Sequence, residues 1–237
     1  MTDPGAQVGY WDSVGATKTF THPVNLTWLA GVSRDARILD YGCGYGRVMA
    51  ELNGRGFTDV SGVDPSAALI SRGRQLRPDL RFEVLASPPR LAYPSASFDV
   101  VLLFAVLTCI PDDGAQRELV DELVRVLVPG GLLYVSDMVL QEDDRNQRRY
   151  ATYAEQFGTP YGVFVTDDGG VCRHHNIVEL RTLLKDLDIL DEHPIDVTTM
   201  NGHQSKAAQL LARKRGQDSS VRPYQSWDEV TPGRVKK

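Results

Sequence analysis

The stretch Ile38-Leu39-Asp40-Tyr41-Gly42-Cys43-Gly44-Tyr45-Gly46-Arg47 decides the fold of this 237-residue chain. Its apolar start predicts a buried strand, and three glycines at alternate positions follow directly. A second short apolar run ends about twenty residues later in Gly62-Val63-Asp64. Because glycine has no Cβ, the backbone of such a loop can approach a ligand closely, and the next helix presents free N–H groups there. The two segments together predict a site for a nucleotide-like cofactor lying across two parallel strands.

The spacing of the glycines narrows the choice of cofactor. A dinucleotide-binding fingerprint requires Gly-x-Gly-x-x-Gly. Here the third glycine comes one residue early, and Arg47 stands where that fingerprint has its last glycine. The loop therefore argues against a nicotinamide oxidoreductase.

The composition predicts one globular domain followed by a tail. Hydrophobic residues make up 42% of the chain and charged residues 24%, which is ordinary for a soluble protein. No apolar stretch reaches the roughly 18 residues of a membrane helix, and the N-terminus lacks the pattern of a signal peptide. We therefore expect a cytoplasmic protein that has no membrane partner. The three cysteines, which are too few and too scattered for a disulfide framework or a zinc site, predict reduced thiols and no metal.

Charge is unevenly distributed along the chain. Residues 213–237 hold seven Lys and Arg against three acids, so the totals of 26 and 31 leave 19 bases and 28 acids in the body. An acidic body matches a nucleic-acid backbone poorly, so no nucleic-acid partner is expected. The tail, with its Gly, Ser and Pro residues, is interpreted as a flexible solvated terminus rather than a nucleic-acid arm.

Strand patterns and helix patterns alternate through the first two thirds of the chain and are joined by short turns. This alternation predicts an α/β fold: a doubly wound, mostly parallel seven-stranded sheet with an antiparallel edge strand, and an inserted lid or hairpin after strand five. The predicted core strands are 36–41, 60–64, 81–86, 98–104 and 132–139, and the antiparallel pair is 189–199 with 207–213. The predicted helices are 23–29, 45–54, 66–76, 112–128, 142–157 and 176–187, and the hairpin joins 161–166 to 171–175.

The same patterns predict the organisation of the chain. Residues 1–35 form an N-terminal lid or helical segment, and residues 36–213 form the main domain. Within it, residues 141–175 are an insertion, and residues 214–237 are the basic tail. Ligands of such a sheet bind beyond the carboxyl ends of the strands, so the site is expected there.

Four motifs in order resemble the class I S-adenosylmethionine-dependent methyltransferases, in their small-molecule group of ubiquinone-type and natural-product enzymes. These motifs are residues 39–46, Asp64, residues 97–101 and residues 127–132. The resemblance implies S-adenosylmethionine as cofactor, with S-adenosylhomocysteine as product. It implies that the glycine loop wraps the methionine end of the cofactor and that Asp64 accepts hydrogen bonds from both ribose hydroxyls. The implied cofactor-binding residues are Asp40, Tyr41, Gly42, Cys43, Gly44, Gly46, Asp64, Pro65, Ser87, Phe104 and Ala105.

One position departs from the family pattern. Members commonly carry an Asp after the third strand that receives the adenine amino group, whereas the alignment places Ser87 there, followed by Pro88 and Pro89. A serine hydroxyl or a backbone carbonyl can still accept this hydrogen bond, without the strength of a charged acceptor.

Three histidines are candidates for a general base that removes a proton from a hydroxyl acceptor. The resemblance implies that the insertion 141–175 builds the acceptor pocket, as in small-molecule members of the family. His174 and His175 follow the predicted hairpin of this insertion, and His22 precedes the predicted helix 23–29. A histidine of near-neutral pKa suits this role. The alternative is that each is a hydrogen-bonded structural residue, or for His22 a residue at a helix entry.

Aromatic residues and one lysine are candidates for the lid and the pocket walls. The family resemblance implies that the N-terminal segment folds over the cofactor, which assigns Tyr10, Trp11 and Lys18 to the lid; the alternative is a plain packing segment. Aromatic rings can stack on a ligand, and Lys18 can attract a carboxylate. Tyr161 and Phe164 are further candidates for walls of the acceptor pocket.

The predicted function is methyl transfer to a small-molecule acceptor by in-line displacement, most readily to the hydroxyl oxygen of a secondary or related metabolite. Residues 104–107 lack the Asn/Asp-Pro-Pro-aromatic segment of methyltransferases that modify amino groups of nucleic acids. Nitrogen and carbon stay open as acceptor atoms. The alternatives are methylation of RNA or protein, for which the basic tail is the support, and a non-catalytic S-adenosylmethionine-binding protein. The sequence carries no signal for the oligomeric state.

Overall fold

A computed structural model describes residues 4–216. The α-helices are α1 (Pro4–Asp12), α2 (Arg47–Gly54), α3 (Ala67–Leu76), α4 (Asp113–Val126), α5 (Asp144–Phe157) and α6 (Ile177–Leu183). The strands are β1 (Ile38–Tyr41), β2 (Val60–Asp64), β3 (Arg81–Val84), β4 (Phe98–Phe104), β5 (Leu127–Met138), β6 (Val163–Val165), β7 (Val171–Arg173), β8 (Leu187–Thr198) and β9 (Gln204–Lys214). Short 3-10 helices cover Gly15–Thr17, Leu26–Leu29 and Leu107–Cys109.

Seven of these strands form one sheet in the order β3-β2-β1-β4-β5-β9-β8. The neighbours from β3 to β5 pair in parallel, and β9 pairs antiparallel with both β5 and β8. The predicted mostly parallel, doubly wound sheet with an antiparallel pair at one edge is therefore confirmed. The antiparallel strand β9 lies one position inside that edge, because β8 is outermost. The predicted hairpin is present as a separate two-stranded sheet of β6 and β7.

The two faces of the sheet bury two apolar clusters, as expected for central parallel strands. On β1, Leu39 joins the cluster under α4 and α6, whereas Ile38 joins the cluster under α2 and α3. This alternation follows from the two-residue period of a strand. Leu29 from the N-terminal segment is 1% exposed and packs into the second cluster. The N-terminal segment is thus anchored in the core of the sheet.

The boundary between α4 and β5 differs from the prediction. Helix α4 ends at Val126 and β5 begins at Leu127, before the Pro129-Gly130-Gly131 turn rather than after it. The reason is a register shift: Phe98 of β4 pairs with Leu127, and the next pair joins Val100 to Leu132. The prolyl and glycyl residues therefore form an irregularity inside the strand.

The second half of the chain adds the elements at the carboxyl ends of the strands. Helix α6 opens with a capping box, in which Asn176 accepts a hydrogen bond from a backbone N–H and Glu179 accepts one from the Asn176 N–H. It ends at Leu183 because Leu187 already belongs to β8. The start of the predicted tail is part of the sheet: β9 runs to Lys214, and Arg215 pairs with Asp188 at 3.0 Å. The rest of the predicted tail, residues 217–237, lies outside the described residues.

No helix within residues 4–216 has the length and apolarity needed to cross a bilayer.

Candidate active site

The glycine loop and Asp64 meet because β1 and β2 are parallel neighbours that end side by side, with Tyr41 opposite Val63. The N–H of Gly44 donates to Asp64 Oδ2 at 2.9 Å, and the N–H of Ser66 donates to Asp64 Oδ1 at 2.8 Å. The carboxylate of Asp64 therefore joins the loop after β1 to the start of α3. It is held in place by backbone groups, so its position does not depend on flexible side chains.

Two buried carboxyl groups lie in this region. Burial raises the pKa of Asp64 to about 6, and the N–H donors of Ser66 and Gly44 oppose that rise. Burial raises the pKa of Asp40 to about 7, although the nearby charge of Arg47 lowers it. Oδ2 of Asp40 is buried and has no hydrogen-bond partner among the described residues. An unpaired buried acceptor is costly, so a cationic or hydrogen-bond-donating ligand would stabilise this region.

A cavity of about 110 Å³ opens between these carboxyl groups and the end of β4; we call it the cofactor cleft. Of the predicted cofactor-binding residues, those that line it are Asp40, Gly42, Cys43, Asp64, Pro65, Phe104 and Ala105. Tyr41, Gly44, Gly46 and Ser87 are not among the lining residues. Tyr41 packs in the core and Ser87 is exposed, so an adenine contact by Ser87 stays a prediction.

The N-terminal segment lies directly over the glycine loop. Gly44 has a φ of +55°, and a Cβ at this position would stand 2.7 Å from the ring of Phe20. The Phe20 ring stacks on Tyr45 with centroids 5.5 Å apart. On the other side, the guanidinium of Arg72 lies 4.0 Å from the centroid of the Tyr45 ring and donates to the carbonyl oxygen of Lys18 at 2.8 Å. These contacts hold residues 16–20 against the loop.

Helix α1 is fastened at the same end of the sheet. Oδ1 of Asp12 accepts hydrogen bonds from Ser66 Oγ at 2.8 Å and from the N–H of Ala68 at 3.1 Å. Because these donors belong to the first turn of α3, Asp12 adds an acid where the helix dipole favours one. Nε2 of Gln7 donates to the carbonyl oxygens of Cys109 and Val171, at 2.9 and 2.8 Å. The N-terminal segment thus contacts α3, the loop after β4 and the hairpin.

A larger cavity of about 630 Å³ adjoins the cofactor cleft; we call it the acceptor cavity. Its walls come from the N-terminal segment, the loop after β4, α5, the β6–β7 hairpin and the β8–β9 turn. The residues that line both cavities are Trp11, Phe20, His22, Ala105 and Cys109. The two cavities therefore share one wall, and its position is set jointly by the N-terminal segment and the end of β4.

The loop after β4 is positioned by a buried acid on β5. Oδ1 of Asp137 accepts hydrogen bonds from the N–H of Thr108 at 3.0 Å and of Met138 at 2.8 Å. Burial raises the pKa of Asp137 to about 7, against the effect of these donors. Ala105, which begins the loop, has a φ of +56° and donates its N–H to the carbonyl oxygen of Ser136 at 2.7 Å. Backbone hydrogen bonds thus fix the shared wall.

His22 is the predicted base that lines both cavities. Its Nδ1 lies 2.9 Å from Ser136 Oγ, and its carbonyl oxygen accepts a hydrogen bond from Arg47. Burial, and then the charge of Arg47, lower the pKa of His22 to about 4. The imidazole is therefore neutral near pH 7.

His174 and His175 occupy different environments. His174 lines the acceptor cavity, with Nδ1 2.6 Å from the hydroxyl of Tyr150, and burial lowers its pKa to about 3. His175 lines neither cavity; its Nε2 lies 2.8 Å from the side-chain nitrogen of Gln116. Its Nδ1 is 3.9 Å from Asp137 Oδ1, which is too long for a hydrogen bond. The position of His175 is that of a core residue beneath the loop after β4.

Only some of the predicted lid and pocket residues line the acceptor cavity. Trp11 and Phe164 line the acceptor cavity, and Tyr10 is buried and packs edge-on against Trp11. Lys18 donates to Asp168 Oδ2 at 2.6 Å, so its charge is already paired with the hairpin. Tyr161 is 47% exposed and lies outside the cavity lining. A role for these residues in closing over a ligand stays a prediction.

Several residues at the site were not singled out by the sequence. Arg149 lines the acceptor cavity, Arg47 lines the cofactor cleft, and Asp12 and Arg72 fasten the N-terminal segment. Arg47 directly follows the glycine loop, so its proximity could have been expected. The other three act through contacts that are distant along the chain, for which no local pattern exists.

Within residues 4–216, no group of three His, Cys, Asp or Glu side chains is arranged to hold a metal ion.

Comparison with known proteins adds independent information. A family profile described as a methyltransferase domain matches residues 21–189. The 27-O-demethylrifamycin SV methyltransferase of Amycolatopsis mediterranei is 31% identical over 140 residues, which cover 56% of this chain and 50% of that protein. A ubiquinone biosynthesis O-methyltransferase of Xylella fastidiosa is 31% identical over 137 residues, which cover 54% of each. The chain thus spans about half the length of these relatives.

The fold is shared with solved structures. The crystal structure of a SAM-dependent methyltransferase from Methanosarcina mazei superposes with a TM-score of 0.76 at 23% identity, covering 82% of this chain and 99% of that one. At this identity the likeness concerns the fold alone. This likeness confirms the class I fold that the glycine loop and Asp64 predicted, and the profile match over residues 21–189 shows that this chain belongs to the methyltransferase-domain family.

Proposed function

We propose that this protein transfers a methyl group from S-adenosylmethionine to a small-molecule acceptor, most readily to a hydroxyl oxygen. The single observation that carries the proposal is the shared wall between the two cavities. A methyl donor in the cofactor cleft and an acceptor in the larger cavity would meet at Trp11, Phe20, His22, Ala105 and Cys109. Direct transfer between two bound molecules requires that their two sites adjoin in this way.

The charges and hydrogen-bonding groups of the cofactor cleft suit S-adenosylmethionine, whereas its volume of about 110 Å³ would hold only part of that molecule. Asp64 is the residue we assign to the ribose hydroxyls, since a carboxylate accepts several hydrogen bonds and Asp64 already has a fixed position. Asp40, with its unpaired Oδ2, is suited to a positively charged group of the ligand. When bound, this cofactor would supply a methyl group already activated on a sulfonium sulfur.

The protein's main contribution to the reaction would be alignment. In-line displacement needs the acceptor atom, the methyl carbon and the sulfur in one line, and alignment alone can contribute roughly 7–11 kcal/mol. The shared wall is suited to this task because backbone hydrogen bonds to Asp137 and Ser136 fix the loop after β4. Aromatic rings from the N-terminal segment complete the wall and would exclude water.

A hydroxyl acceptor must lose its proton as the new C–O bond forms. His22 is the base we propose, because it borders both cavities and is neutral near pH 7. No hydrogen bond joins its Nε2 to a described residue, which leaves this nitrogen for the acceptor proton. The oxygen becomes strongly acidic as it is alkylated, so even a weakly basic imidazole can take the proton late in the reaction. His174, which borders only the acceptor cavity, is the second candidate.

The size of the acceptor cavity, about 630 Å³, supports a small molecule as acceptor, because pockets for drug-sized ligands span about 300–1,000 Å³. The two relatives described above carry names of small-molecule methyltransferases. The alternative is RNA or protein as substrate, and its support is the basic tail, most of which lies outside the described residues.

The test combines binding and turnover. Calorimetry should detect S-adenosylhomocysteine binding to the wild-type chain, and a panel of phenols and aliphatic alcohols should yield S-adenosylhomocysteine release from S-adenosylmethionine. We expect His22→Asn to lower kcat by about 10²- to 10⁴-fold with little change in cofactor affinity. His193→Asn, an exposed histidine on β8, is the matched control.

Absence of cofactor binding would overturn the proposal. Cofactor binding and turnover only with RNA or protein acceptors would replace the small-molecule assignment. Full turnover by His22→Asn would remove the base from the mechanism and leave alignment as the source of rate.

A further inference from the structure

Arg149 on α5 stands out among the charged residues that line the acceptor cavity. The carbon at the centre of its guanidinium lies 3.4 Å from the centroid of the Phe164 ring, and Phe164 is 2% exposed. Such a short distance indicates that the guanidinium plane stacks on the ring. One face of the cation is therefore covered, and its nitrogen edge is held in a fixed place at the cavity wall.

This cation has no acidic partner within the described residues. No carboxylate oxygen lies within 4.0 Å of Arg149, and its Nε is buried without a hydrogen-bond partner. Burial lowers the pKa of Arg149, and no carboxylate is among the groups that act on it. By contrast, the ion pair with Glu122 raises the pKa of Arg125. A guanidinium stays charged in proteins, so Arg149 carries a partly desolvated positive charge that no acid offsets.

The other charges at this cavity are either paired or exposed to water. Asp168 pairs with Lys18 at 2.6 Å, whereas the side chain of Arg145 is 50% exposed and lies 3.9 Å from Asp167, whose side chain is 99% exposed. Asp143 is the N-cap of α5 and accepts a hydrogen bond from the N–H of Asn146 at 3.0 Å. Among the described residues, Arg149 is thus the partly buried cation at this cavity that has no acidic partner.

We propose that Arg149, stacked on Phe164, binds a carboxylate of the acceptor, so that the substrate of this cavity is a small organic acid. The proposal rests on the assignment of this cavity to the acceptor. A planar guanidinium can donate two parallel hydrogen bonds to one carboxylate, which fixes orientation as well as position. His174 packs against the same Phe164 ring, with centroids 4.9 Å apart, and is neutral near pH 7. His174 therefore adds no charge here, and Arg149 supplies the positive charge that a carboxylate beside the Phe164 ring would meet.

The surrounding acids limit the charge that the ligand can carry. Asp143, Asp167 and Asp168 all line the cavity, so a ligand with several negative charges would be repelled at its entrance. A single carboxylate gains the pair with Arg149 and meets the least repulsion. Phosphorylated compounds and nucleic acids fit this charge distribution poorly.

The experiment measures binding of benzoate and of its neutral isostere benzamide to the full chain, by calorimetry and by the ¹⁵N resonance of the arginine Nε groups. We expect benzoate to bind at least about tenfold more tightly than benzamide, the ratio expected for one hydrogen bond to a charged group, and to shift the Arg149 Nε resonance. Arg149→Met, which keeps an unbranched apolar stem, should remove this preference. Arg148→Met is the matched control, since Arg148 is the exposed neighbour on the same helix and lies outside the cavity lining.

Equal binding of benzoate and benzamide, no binding of benzoate, or a preference unchanged in Arg149→Met would each overturn the proposal. Far-ultraviolet circular dichroism and a melting curve check that the variant folds. If it does not, the Arg149 resonance of the wild-type chain decides the question, because an unshifted resonance at saturating benzoate contradicts the assignment. Titration with S-adenosylhomocysteine tests the proposed function separately. If the chain binds benzoate through Arg149 but does not bind S-adenosylhomocysteine, the proposed methyl transfer is wrong and the carboxylate-binding site still stands.

Discussion

The cofactor cleft and the acceptor cavity share a wall but are built in different ways. The cofactor cleft is formed by strand ends and backbone N–H groups, and Asp64 is held there by the N–H groups of Gly44 and Ser66. The acceptor cavity is formed by side chains from five separate segments, with Phe164 and Arg149 on one side and the β8–β9 turn on another. The first depends on backbone shape, whereas the second depends on which side chains happen to point inward. Substitutions should therefore act differently at the two ends.

The largest effect is expected where backbone shape matters most. Gly46 has a φ of +81°, and a Cβ there would stand 2.4 Å from Cζ of Phe82. We expect Gly46→Ala to destabilise the protein by about 2–5 kcal/mol, the sum of left-handed backbone strain and overpacking. Urea denaturation measures the change in the free energy of unfolding.

The control is Gly130→Ala, which has the same φ of +81° but nothing within 4 Å of its Cβ position. Gly130→Ala should lower the free energy of unfolding only by the left-handed backbone strain, about 1–2 kcal/mol. Equal losses for the two variants would show that the contact with Phe82 gives way freely, and that the loop is less tightly constrained than its geometry indicates.

A smaller effect is expected from the carboxylate of the cofactor cleft. Asp64→Asn should weaken S-adenosylhomocysteine binding by roughly 10- to 100-fold, because hydrogen bonds to an ionised group are lost. The wild-type affinity should also fall as the pH drops below about 6, since the raised pKa of Asp64 lets protonation remove the charged acceptor near that value. Asp40, whose pKa is about 7, should contribute the part of this dependence that survives in Asp64→Asn. Calorimetry across this pH range measures both effects.

Asp99→Asn serves as the control for this substitution, because Asp99 is paired with Arg37 at 3.0 Å at the start of β4, the far end of the sheet. An unchanged affinity and pH profile in Asp64→Asn would contradict the assignment of this residue to the cofactor.

The smallest effect is expected at the ion pair between Lys18 and Asp168, which joins the N-terminal segment to the hairpin. Lys18 and Asp168 are 19% and 24% exposed, and Lys18→Met should cost about 1 kcal/mol or less, with the loss reduced at high salt. Lys206→Met removes the more exposed pair with Asp196 and should cost still less. Melting temperatures of both variants are measured at low and high salt. A larger salt effect for Lys206→Met than for Lys18→Met would contradict a stabilising role for the ion pair between Lys18 and Asp168.

The sequence predicted that the glycine loop and Asp64 meet, because this contact depends on neighbouring parallel strands. Parallel strands that follow one another in the sheet end at the same edge, so Gly42 and Asp64 could be brought together without a structure. The acceptor end depends on contacts between distant segments. His22 lies beside Ser136, 114 positions later, and no periodic pattern records such a contact.

Two details of the acceptor cavity depend on tertiary packing and not on the local sequence. His174 and His175 are consecutive in an extended segment, so their side chains point to opposite sides and only one could face the acceptor cavity. Which one does so depends on how the hairpin docks. Likewise Arg145, Arg148 and Arg149 share one helix, and the identity of the arginine that stacks on Phe164 depends on the position of β6 relative to α5.

The N-terminal segment has a consequence for the order of events in a catalytic cycle. Trp11, Phe20 and His22 border both cavities, so any opening that exposes the cofactor cleft also dismantles one wall of the acceptor cavity. If the N-terminal segment opens to admit the cofactor, we predict that the acceptor finds its complete pocket only after the segment has closed again. We therefore expect ordered binding, in which the nucleoside binds first and leaves last.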